Sequence, residues 1–363
     1  MQKTPKGKIQ EDTTGPAVTR HTTHKVVNMR TIVLSIVVIL FSGCANQSGF
    51  TCSQNLHCEN LTSDAWAKND NGYDRARAFA NRNAIYAVYS ANVYDKPASA
   101  YPPIFLPSNE YHRDILHNKG IVIETNFRAK AWLRYRYGAS QPQKPILVIA
   151  FRGTDSWLDT LSGNLRLFET QGLDQFKSAK TYTHDVLQYL RGNRLDYAKI
   201  VFTGHSLGGG LAEYMQLITD NSEAVVFMPS PNNGFLYSLT SGDKRKSMNT
   251  TRIYEKGEIL NILRLAVSHD YEYDAWPNSD DDIKTAWINF FKWSPIENHG
   301  IRDFAMKMLQ IADIEGNCSA RNVLEQINTT YGLKINLNEN DNHRLACAAG
   351  NNEVENQKYP IEL

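Results

Sequence analysis

The sequence predicts an α/β fold with a mostly parallel central sheet that is covered by helices on both faces. Two segments, Pro145–Phe151 and Lys199–Thr203, are short continuous apolar runs, which are typical of strands buried on both sides. Two segments with helical patterning, Gln175–Leu190 and Gly208–Thr219, alternate with these runs. Strands that alternate with helices favour a parallel sheet, because each crossover helix packs on one of its faces.

The other elements follow from the same patterns. Apolar, β-branched or aromatic segments predict further strands at Gly120–Thr125, Ala129–Tyr137, Ala224–Met228 and Thr251–Tyr254. Apolar residues at helical spacing predict a helix over Asp74–Tyr94 and more helix after residue 300.

Composition excludes several functional classes. The 363 residues include 39 Lys and Arg against 38 Asp and Glu, a formal net charge of +1. Such a balance provides no field for non-specific nucleic-acid binding. The hydrophobic content of 42% is ample for a packed core, which excludes a generally disordered chain.

The N-terminal region predicts export. The apolar run Thr31–Gly43 follows Arg30 and is far shorter than the roughly 20 residues of a spanning helix, so it is typical of a signal peptide. The residues Leu40–Cys44 resemble a bacterial lipobox, and this resemblance implies lipidation of Cys44. We therefore expect an extension at 1–28, a signal peptide at 29–43 and a tether at 44–70. The expected location is a lipid-anchored one on the outer membrane or the periplasmic face.

Removal of residues 1–43 leaves 33 basic against 36 acidic residues, a formal charge of −3, so the lipid rather than a polybasic patch would provide the membrane contact. Four further cysteines favour disulfides in an exported chain. Proximity suggests the pairs Cys52–Cys58 and Cys318–Cys347, although four cysteines allow three pairings. Their spacing lacks paired CxxC units, so no zinc site is predicted.

The sequence Gly204–Gly208 has the pattern GxSxG and predicts a nucleophile at Ser206. It follows a buried strand and precedes a helix, which is the strand–turn–helix setting of a nucleophile elbow. The tight turn predicts a strained backbone at Ser206, and the helix N-terminus directs partial positive charge at the reacting oxygen.

A second motif, Phe151–Thr154, directly follows the other buried strand. The two motifs in this order resemble the fungal lipase-type (class 3 lipase) branch of the α/β-hydrolases, over about Asp74–Met308. The resemblance implies an α/β-hydrolase domain at 71–315, with a small helical extension at 316–363. It also implies that Thr154 and Leu207 form the oxyanion hole, and that no metal or organic cofactor is needed.

The order of a hydrolase triad is nucleophile, acid, then histidine. By position the acid is Glu258, where the family usually has Asp, and this departure leaves Asp270, Asp274 and Glu255 as alternatives. The expected base is His299, which precedes a predicted helix at Ile301–Ile311, with His269 as the alternative.

Two segments are candidates for contact with the substrate. Asp155–Gln171 occupies the place of a family lid, or it packs as an ordinary connection. The aromatic-rich Tyr271–Trp293 is either an acyl-pocket wall or core. Within it, Asp280–Asp282 lacks a calcium-loop pattern and suggests a solvated turn or a helix start.

The expected function is hydrolysis of lipid esters by a Ser–His–acid mechanism. Alternatives within enzymes are a phospholipase A1 or a small-ester carboxylesterase. An inactive hydrolase-fold lipoprotein that serves as a binding module is the alternative from another class. The expected partners are a lipid or ester substrate and a membrane, with no nucleic acid, and the oligomeric state is left open.

Overall fold

A computed structural model describes the chain over a set of separate ranges. These are 50–52, 58–60, 72–94, 104–108, 110–115, 127–136, 144–153, 167–230, 234, 237–238, 241–255, 257–258, 260, 282–290, 299–314, 316–332, 335, 337, 344–345 and 347. The chain divides into two compact units, Met1–Ala45 and Asn46–Leu363, and all described residues belong to the second.

The described strands form one nine-stranded sheet. They are β1 (Phe50–Cys52), β2 (Cys58–Asn60), β3 (Glu110–Asp114), β4 (Ala129–Arg136), β5 (Ile146–Phe151), β6 (Ile200–His205), β7 (Ser222–Phe227), β8 (Asn249–Glu255) and β9 (Asp282–Asn289). Their order is β2-β1-β9-β8-β7-β6-β5-β4-β3. Neighbouring strands from β5 to β9 are parallel, as are β9 and β1, whereas the β3–β4, β4–β5 and β1–β2 pairs are antiparallel.

Five described helices cover the sheet. They are α1 (Gly72–Asn92), α2 (Leu167–Gly192), α3 (Leu207–Ile218), α4 (Ile301–Ile314) and α5 (Cys318–Tyr331). Side chains alternate across a strand, so each face of the sheet has its own core. One core joins α1, α4 and α5 to strand residues that include Val148, Ala150, Val201, Val225, Phe227, Ile253 and Ile288. The other joins α2 and α3 to strand residues that include Leu147, Ile149, Phe151, Ile200, Phe202, Ala224 and Val226.

This architecture confirms the predicted fold class, an α/β-hydrolase type of sheet with helices on both faces. β5 and β6 are buried along nearly their whole length, as their continuous apolar sequences predicted. Their carboxyl ends therefore lie side by side beneath the loops that bear the two motifs, and Phe151 pairs with Gly204 in the register.

Several elements differ from the sequence prediction. Strand β3 was not predicted, and the strand predicted at Gly120–Thr125 lies outside the described residues. The Asp282 end of the acidic run begins β9 rather than a helix, and Ala286, Ile288 and Phe290 of that region are buried in the sheet and its core. The range predicted as a tether contributes the short strands β1 and β2, in which Cys52 lies opposite Cys58.

The C-terminal helix belongs to the same packed body as the sheet. Val323 and Leu324 of α5 are fully buried in the core that α1 and α4 share. Asn317 caps α5 by accepting a hydrogen bond from the N–H of Ala320 at 2.8 Å. The Cys318–Cys347 disulfide, one of the two predicted pairs, closes a segment of 29 residues. In the chain-entropy view, a disulfide that closes a loop of that length stabilises the fold by about 3–4 kcal/mol, because it restricts the unfolded chain.

Helix α3 is tied to α2 through one carboxylate. Tyr214 of α3 donates its hydroxyl hydrogen to Asp243 at 2.7 Å, and Ser241 donates to the same oxygen at 2.5 Å. Lys180 of α2 forms an ion pair with Asp243. Burial alone would raise the pKa of Asp243, but these three donors lower it, so the carboxylate is held in its charged form.

Among the described residues, no helix is both long and apolar enough to cross a membrane.

Candidate active site

Ser206 lies at the turn between β6 and α3, at the carboxyl end of the parallel strands. Its backbone has φ 58° and ψ −129°, a conformation that non-glycine residues rarely adopt and that costs about 1–3 kcal/mol. The strained backbone that the sequence predicted at Ser206 is therefore present. Ser206 is only 6% exposed, which places its hydroxyl in a largely desolvated environment.

The turn is sterically possible because glycines stand on both sides of Ser206. A Cβ at Gly204 would lie 2.3 Å from the carbonyl oxygen of Gly208. A Cβ at Gly208 would lie 2.2 Å from the carbonyl oxygen of Phe151, the last residue of β5. Contacts this short with backbone atoms cannot be relieved by a rotamer change, so the sharp turn and the close approach of β5 both require glycine.

The backbone around Ser206 is held from three directions. The N–H of Ser206 donates to Phe227 of β7, and its carbonyl accepts from Gly209 and from Ser230 at 2.9 Å. Leu207 is the first residue of α3, so its N–H has no acceptor within the helix. That N–H lies at the helix N-terminus, where the partial charge is positive and a developing anion is stabilised.

His299 and Glu258 are in direct contact. His299 Nδ1 lies 2.8 Å from Glu258 Oε2, and the two side chains are 1% and 0% exposed. When the Glu258 carboxylate is ionised it only accepts hydrogen bonds, so the hydrogen of this contact then lies on His299 Nδ1, and a neutral imidazole leaves Nε2 as its basic nitrogen. Glu258 Oε2 also accepts from the N–H of Leu260 at 2.8 Å, which fixes the carboxylate.

Glu258 and His299 lie on separate segments, the first just after β8 and the second just before α4. Glu258 lies three residues after β8, and its longer side chain, in place of the Asp usual in the resembled family, reaches His299 in this backbone. The alternative acid Glu255 ends β8 and is fully buried. The alternatives Asp270, Asp274 and His269 lie outside the described residues.

The His299 ring packs, in a tilted arrangement, against the histidine that precedes Ser206. The centroids of the His205 and His299 rings are 4.4 Å apart, with an angle of 46° between the ring planes. The imidazole of His299 is therefore adjacent to the elbow. His205 in turn contacts Tyr94, which follows α1, with its Nδ1 3.1 Å from the Tyr94 hydroxyl. Sequence patterns gave no signal for Tyr94, because its partners are far away in the chain.

Not all of the predicted site residues belong to the part of the chain that the structure describes. Thr154 and Cys44 lie outside the described residues, as do residues 155–166 of the predicted lid, while Leu167–Gln171 form the start of α2. Arg152, between β5 and Gly153, donates its backbone N–H to Arg128 at 2.9 Å. In the described part of the chain, no group of three or more His, Cys, Asp or Glu side chains could hold a metal ion.

A polar cavity of about 320 Å³ lies at the opposite, amino end of the sheet. Its lining includes Lys199, which precedes β6, and Lys246. Both lysines form ion pairs, Lys199 with Glu223 at 2.8 Å and Lys246 with Asp220 at 2.5 Å. The cavity is one strand length away from Ser206, so it is separate from the candidate active site.

The chain resembles known proteins both in sequence and in structure. A sequence family described as phospholipase-like, the Tle-like phospholipase domain, matches residues 85–234. No curated protein matches the chain. The match includes the Ser206 elbow and β5 but ends before Glu258 and His299, and it agrees with the predicted lipase-type hydrolase.

Similar solved structures include a lipase from Rhizopus microsporus var. chinensis, with 18% identity, 50% of this chain and 68% of that chain covered, and a TM-score of 0.33. Lipase II from Rhizopus niveus has 16% identity, 53% and 76% coverage and a TM-score of 0.34. Esterase B from Lactobacillus rhamnosis has 12% identity, 71% and 98% coverage and a TM-score of 0.31. The α/β-hydrolase architecture itself is identified by the parallel sheet, its two helical layers and the strained elbow at Ser206.

Proposed function

We propose that this protein is a serine ester hydrolase that acts on lipid esters. The observation that carries the proposal is the contact of His299 with Glu258 beside a strained serine on a strand–turn–helix. These three residue types, in this chain order and with this buried hydrogen bond, are what a Ser–His–acid mechanism requires.

The reaction begins with removal of the Ser206 hydroxyl proton by His299 Nε2. The serine oxygen attacks the ester carbonyl carbon, the carbonyl double bond opens, and the negative charge moves to the former carbonyl oxygen. Glu258 stabilises the imidazolium that forms and keeps its Nδ1–H oriented. The N–H of Leu207, with Thr154 as the second donor implied by the family resemblance, holds the oxyanion.

Collapse of the tetrahedral intermediate breaks the bond to the alcohol, which leaves with the proton from His299. A water molecule then gives a proton to Nε2 and attacks the acyl-enzyme. The carboxylic acid departs as its bond to Ser206 breaks and the serine recovers its proton. In this scheme His299 carries every proton between the serine, the alcohol and the water, so atoms and charge balance without a further reactant.

The test is Ser206→Ala in the purified protein. We expect wild type to hydrolyse p-nitrophenyl esters and to be labelled by a fluorophosphonate probe, and we expect the variant to do neither. A matched control is Ser230→Ala, since Ser230 is also buried, and its backbone N–H, which an alanine retains, donates to the Ser206 carbonyl. A wild-type protein that neither hydrolyses any ester nor takes the label would support the binding-module alternative instead.

The family match favours phospholipids among the candidate substrates, because the family is described as phospholipase-like. We propose hydrolysis of a fatty-acyl ester of a glycerophospholipid as the preferred reaction. A panel of phosphatidylethanolamine and phosphatidylglycerol micelles, a triacylglycerol emulsion and short p-nitrophenyl esters would rank kcat/KM. A preference for triacylglycerol would support a lipase in the narrow sense, and a preference for short esters a carboxylesterase.

We further propose that the mature protein begins at Cys44 and is held at a membrane by lipid. The support is the apolar run Thr31–Gly43 and the lipobox-like residues that follow it. Cys44→Ser should abolish metabolic labelling with a fatty acid in an expressing bacterium and should release the protein from membranes. Ser42→Ala retains a small residue before Cys44 and should still be labelled.

A further inference from the structure

We infer that Tyr94 is a positioning residue that holds the end of β5 against the nucleophile elbow. The inference rests on the proposed ester hydrolysis. Tyr94 lies two residues after the end of α1, and its hydroxyl sits between two segments that approach Ser206 from different strands. The N–H of Gly153, two residues after β5, donates to Tyr94 Oη at 2.9 Å. The same oxygen lies 3.1 Å from His205 Nδ1 and 3.3 Å from the His205 carbonyl oxygen.

A tyrosine hydroxyl has one hydrogen to donate and two lone pairs that accept. One arrangement uses all three at Tyr94. The hydroxyl accepts from Gly153 N–H and from His205 Nδ1–H, and it donates to the His205 carbonyl. This arrangement assigns the Nδ1–H tautomer to His205. A single hydroxyl therefore joins the backbone after β5 to the residue that directly precedes Ser206.

The hydrogen bond between Tyr94 and Gly153 matters for the reaction because the Gly153 backbone lies close to Ser206. A Cβ at Gly153 would lie 2.6 Å from Tyr94 Oη, 2.7 Å from the His205 carbonyl oxygen and 3.2 Å from Ser206 Cβ. The Gly153 backbone thus packs directly against the nucleophile, and there is no side chain between them to absorb a shift. A displacement of a few tenths of an ångström at Gly153 changes the space beside the Ser206 hydroxyl.

Tyr94 is also linked to the segment that bears the candidate base. Arg302, three residues after His299, places Nη2 3.4 Å from the Tyr94 carbonyl oxygen. The centroid of the Tyr94 ring lies 5.9 Å from that of the His205 ring, which packs against the His299 ring. The three segments that bear Gly153, Ser206 and His299 therefore all meet at this one residue.

The experiment compares Tyr94→Phe with Tyr89→Phe. Tyr89 lies on α1 and is fully buried, and its hydroxyl also bonds a histidine, His112 Nδ1, at 2.6 Å. Each variant loses a tyrosine hydroxyl together with its hydrogen bonds, but only the change at Tyr94 touches the elbow. We expect Tyr94→Phe to lower kcat about 10–100-fold with KM within twofold, because orientation of the reacting groups is lost while substrate contacts remain.

Inactivation by a fluorophosphonate should slow by a similar factor in Tyr94→Phe, because the same serine attack is impaired. Tyr89→Phe should keep both rates within twofold of wild type, even where its thermal midpoint falls as far as that of Tyr94→Phe. The inference is overturned if the two variants have equal kcat, or if the Tyr94→Phe loss appears in KM alone. Ester hydrolysis by wild type together with inactivity of Ser206→Ala would show that such a failure concerns Tyr94 and leaves the proposed function intact.

Discussion

The two ends of the parallel sheet use charged residues in opposite ways. At the amino ends of β6 and β7, Lys199 pairs with Glu223 while both side chains stay partly exposed, at 42% and 26%. At the carboxyl end, His299 and Glu258 form their hydrogen bond with almost no exposure, at 1% and 0%. Exposed pairs contribute about 0–1 kcal/mol, whereas a buried pair incurs a large desolvation cost.

Backbone strain shows the same contrast. Non-glycine residues with positive φ occur at both ends, and they include Arg194 and Asn221 near the amino ends and Ser206 at the carboxyl end. Those at the amino end lie in exposed turns, and Asn adopts such angles readily. Ser206 is buried, and its backbone donates a hydrogen bond to Phe227 and accepts one from Ser230. The desolvation of the His299–Glu258 pair and the backbone strain of Ser206 both lower the stability of the fold. Both lie at the carboxyl end, where the proposed reaction takes place.

The largest effect is expected from Glu258→Ala. Loss of the carboxylate leaves the His299 imidazole without its orienting acceptor, and we expect kcat to fall about 10³–10⁴-fold. The measurement is steady-state hydrolysis of a p-nitrophenyl ester. Glu223→Ala removes a carboxylate from the amino end and should leave kcat within twofold. Full activity in Glu258→Ala would transfer the acid role to Glu255, Asp270 or Asp274.

The next effect is expected from Gly208→Ala. The added Cβ would meet the Phe151 carbonyl oxygen at 2.2 Å, so β5 and α3 must separate. We expect the free energy of unfolding to fall by about 3 kcal/mol in urea titrations, together with most of the activity. The matched control is Gly192→Ala at the end of α2, where a Cβ meets nothing within 4 Å. A loss of stability in Gly192→Ala as large as that in Gly208→Ala would contradict the steric explanation.

A smaller effect, of opposite sign, is expected from Ser206→Gly. Glycine adopts φ 58° without a Cβ clash, so we expect the free energy of unfolding to rise by about 0.5–2 kcal/mol, after allowance for the greater freedom of the unfolded chain, while activity is lost. The control Arg194→Gly also relieves a positive φ, 53°, but should leave kcat unchanged and gain less than about 1 kcal/mol. Destabilisation by Ser206→Gly would show that the elbow is not strained.

The smallest effect is expected from Lys246→Ala at the amino end. This removes an ion pair with Asp220, whose side chain is 82% exposed, and should change the free energy of unfolding by less than about 0.5 kcal/mol. Chemical denaturation at low and high salt would measure it, and screening should reduce even this difference. A change in kcat beyond twofold would contradict this expectation, because it would show that an ion pair at the amino end affects the reaction at the carboxyl end.

Local sequence was sufficient to predict the elbow. The apolar run of β6, the glycines around Ser206 and the apolar helix that follows are contiguous, so their meaning does not depend on distant residues. The Glu258–His299 contact was an inference from chain order in a resembled family, and it joins residues 41 positions apart. Composition and spacing alone could not have selected this pair.

The missed features depend on tertiary context. Strand β3 is rich in charged and polar residues, and such a sequence is stable as a strand only at the edge of a sheet. In strand β9 the buried residues Ala286 and Ile288 alternate with others, as in a half-buried strand. Aromatic residues around them interrupt the alternation of apolar and polar residues, so the sequence did not indicate a strand. Tyr94 meets Gly153 and His205 across 59 and 111 residues, so no local pattern indicates its role.

The contact between Gly208 and Phe151 has a consequence for how this protein can diverge. The atoms that exclude a side chain at Gly208 are mainly backbone atoms of residues 151 and 152, so no exchange of a neighbouring side chain can make room for one. Side-chain changes around the turn can therefore be compensated by changes in their neighbours, whereas replacement of this glycine has no compensating partner. We expect relatives that have abandoned the reaction to lose the strained serine first, because glycine at position 206 relieves the positive φ, and to keep the glycine at position 208, which the packing of β5 requires.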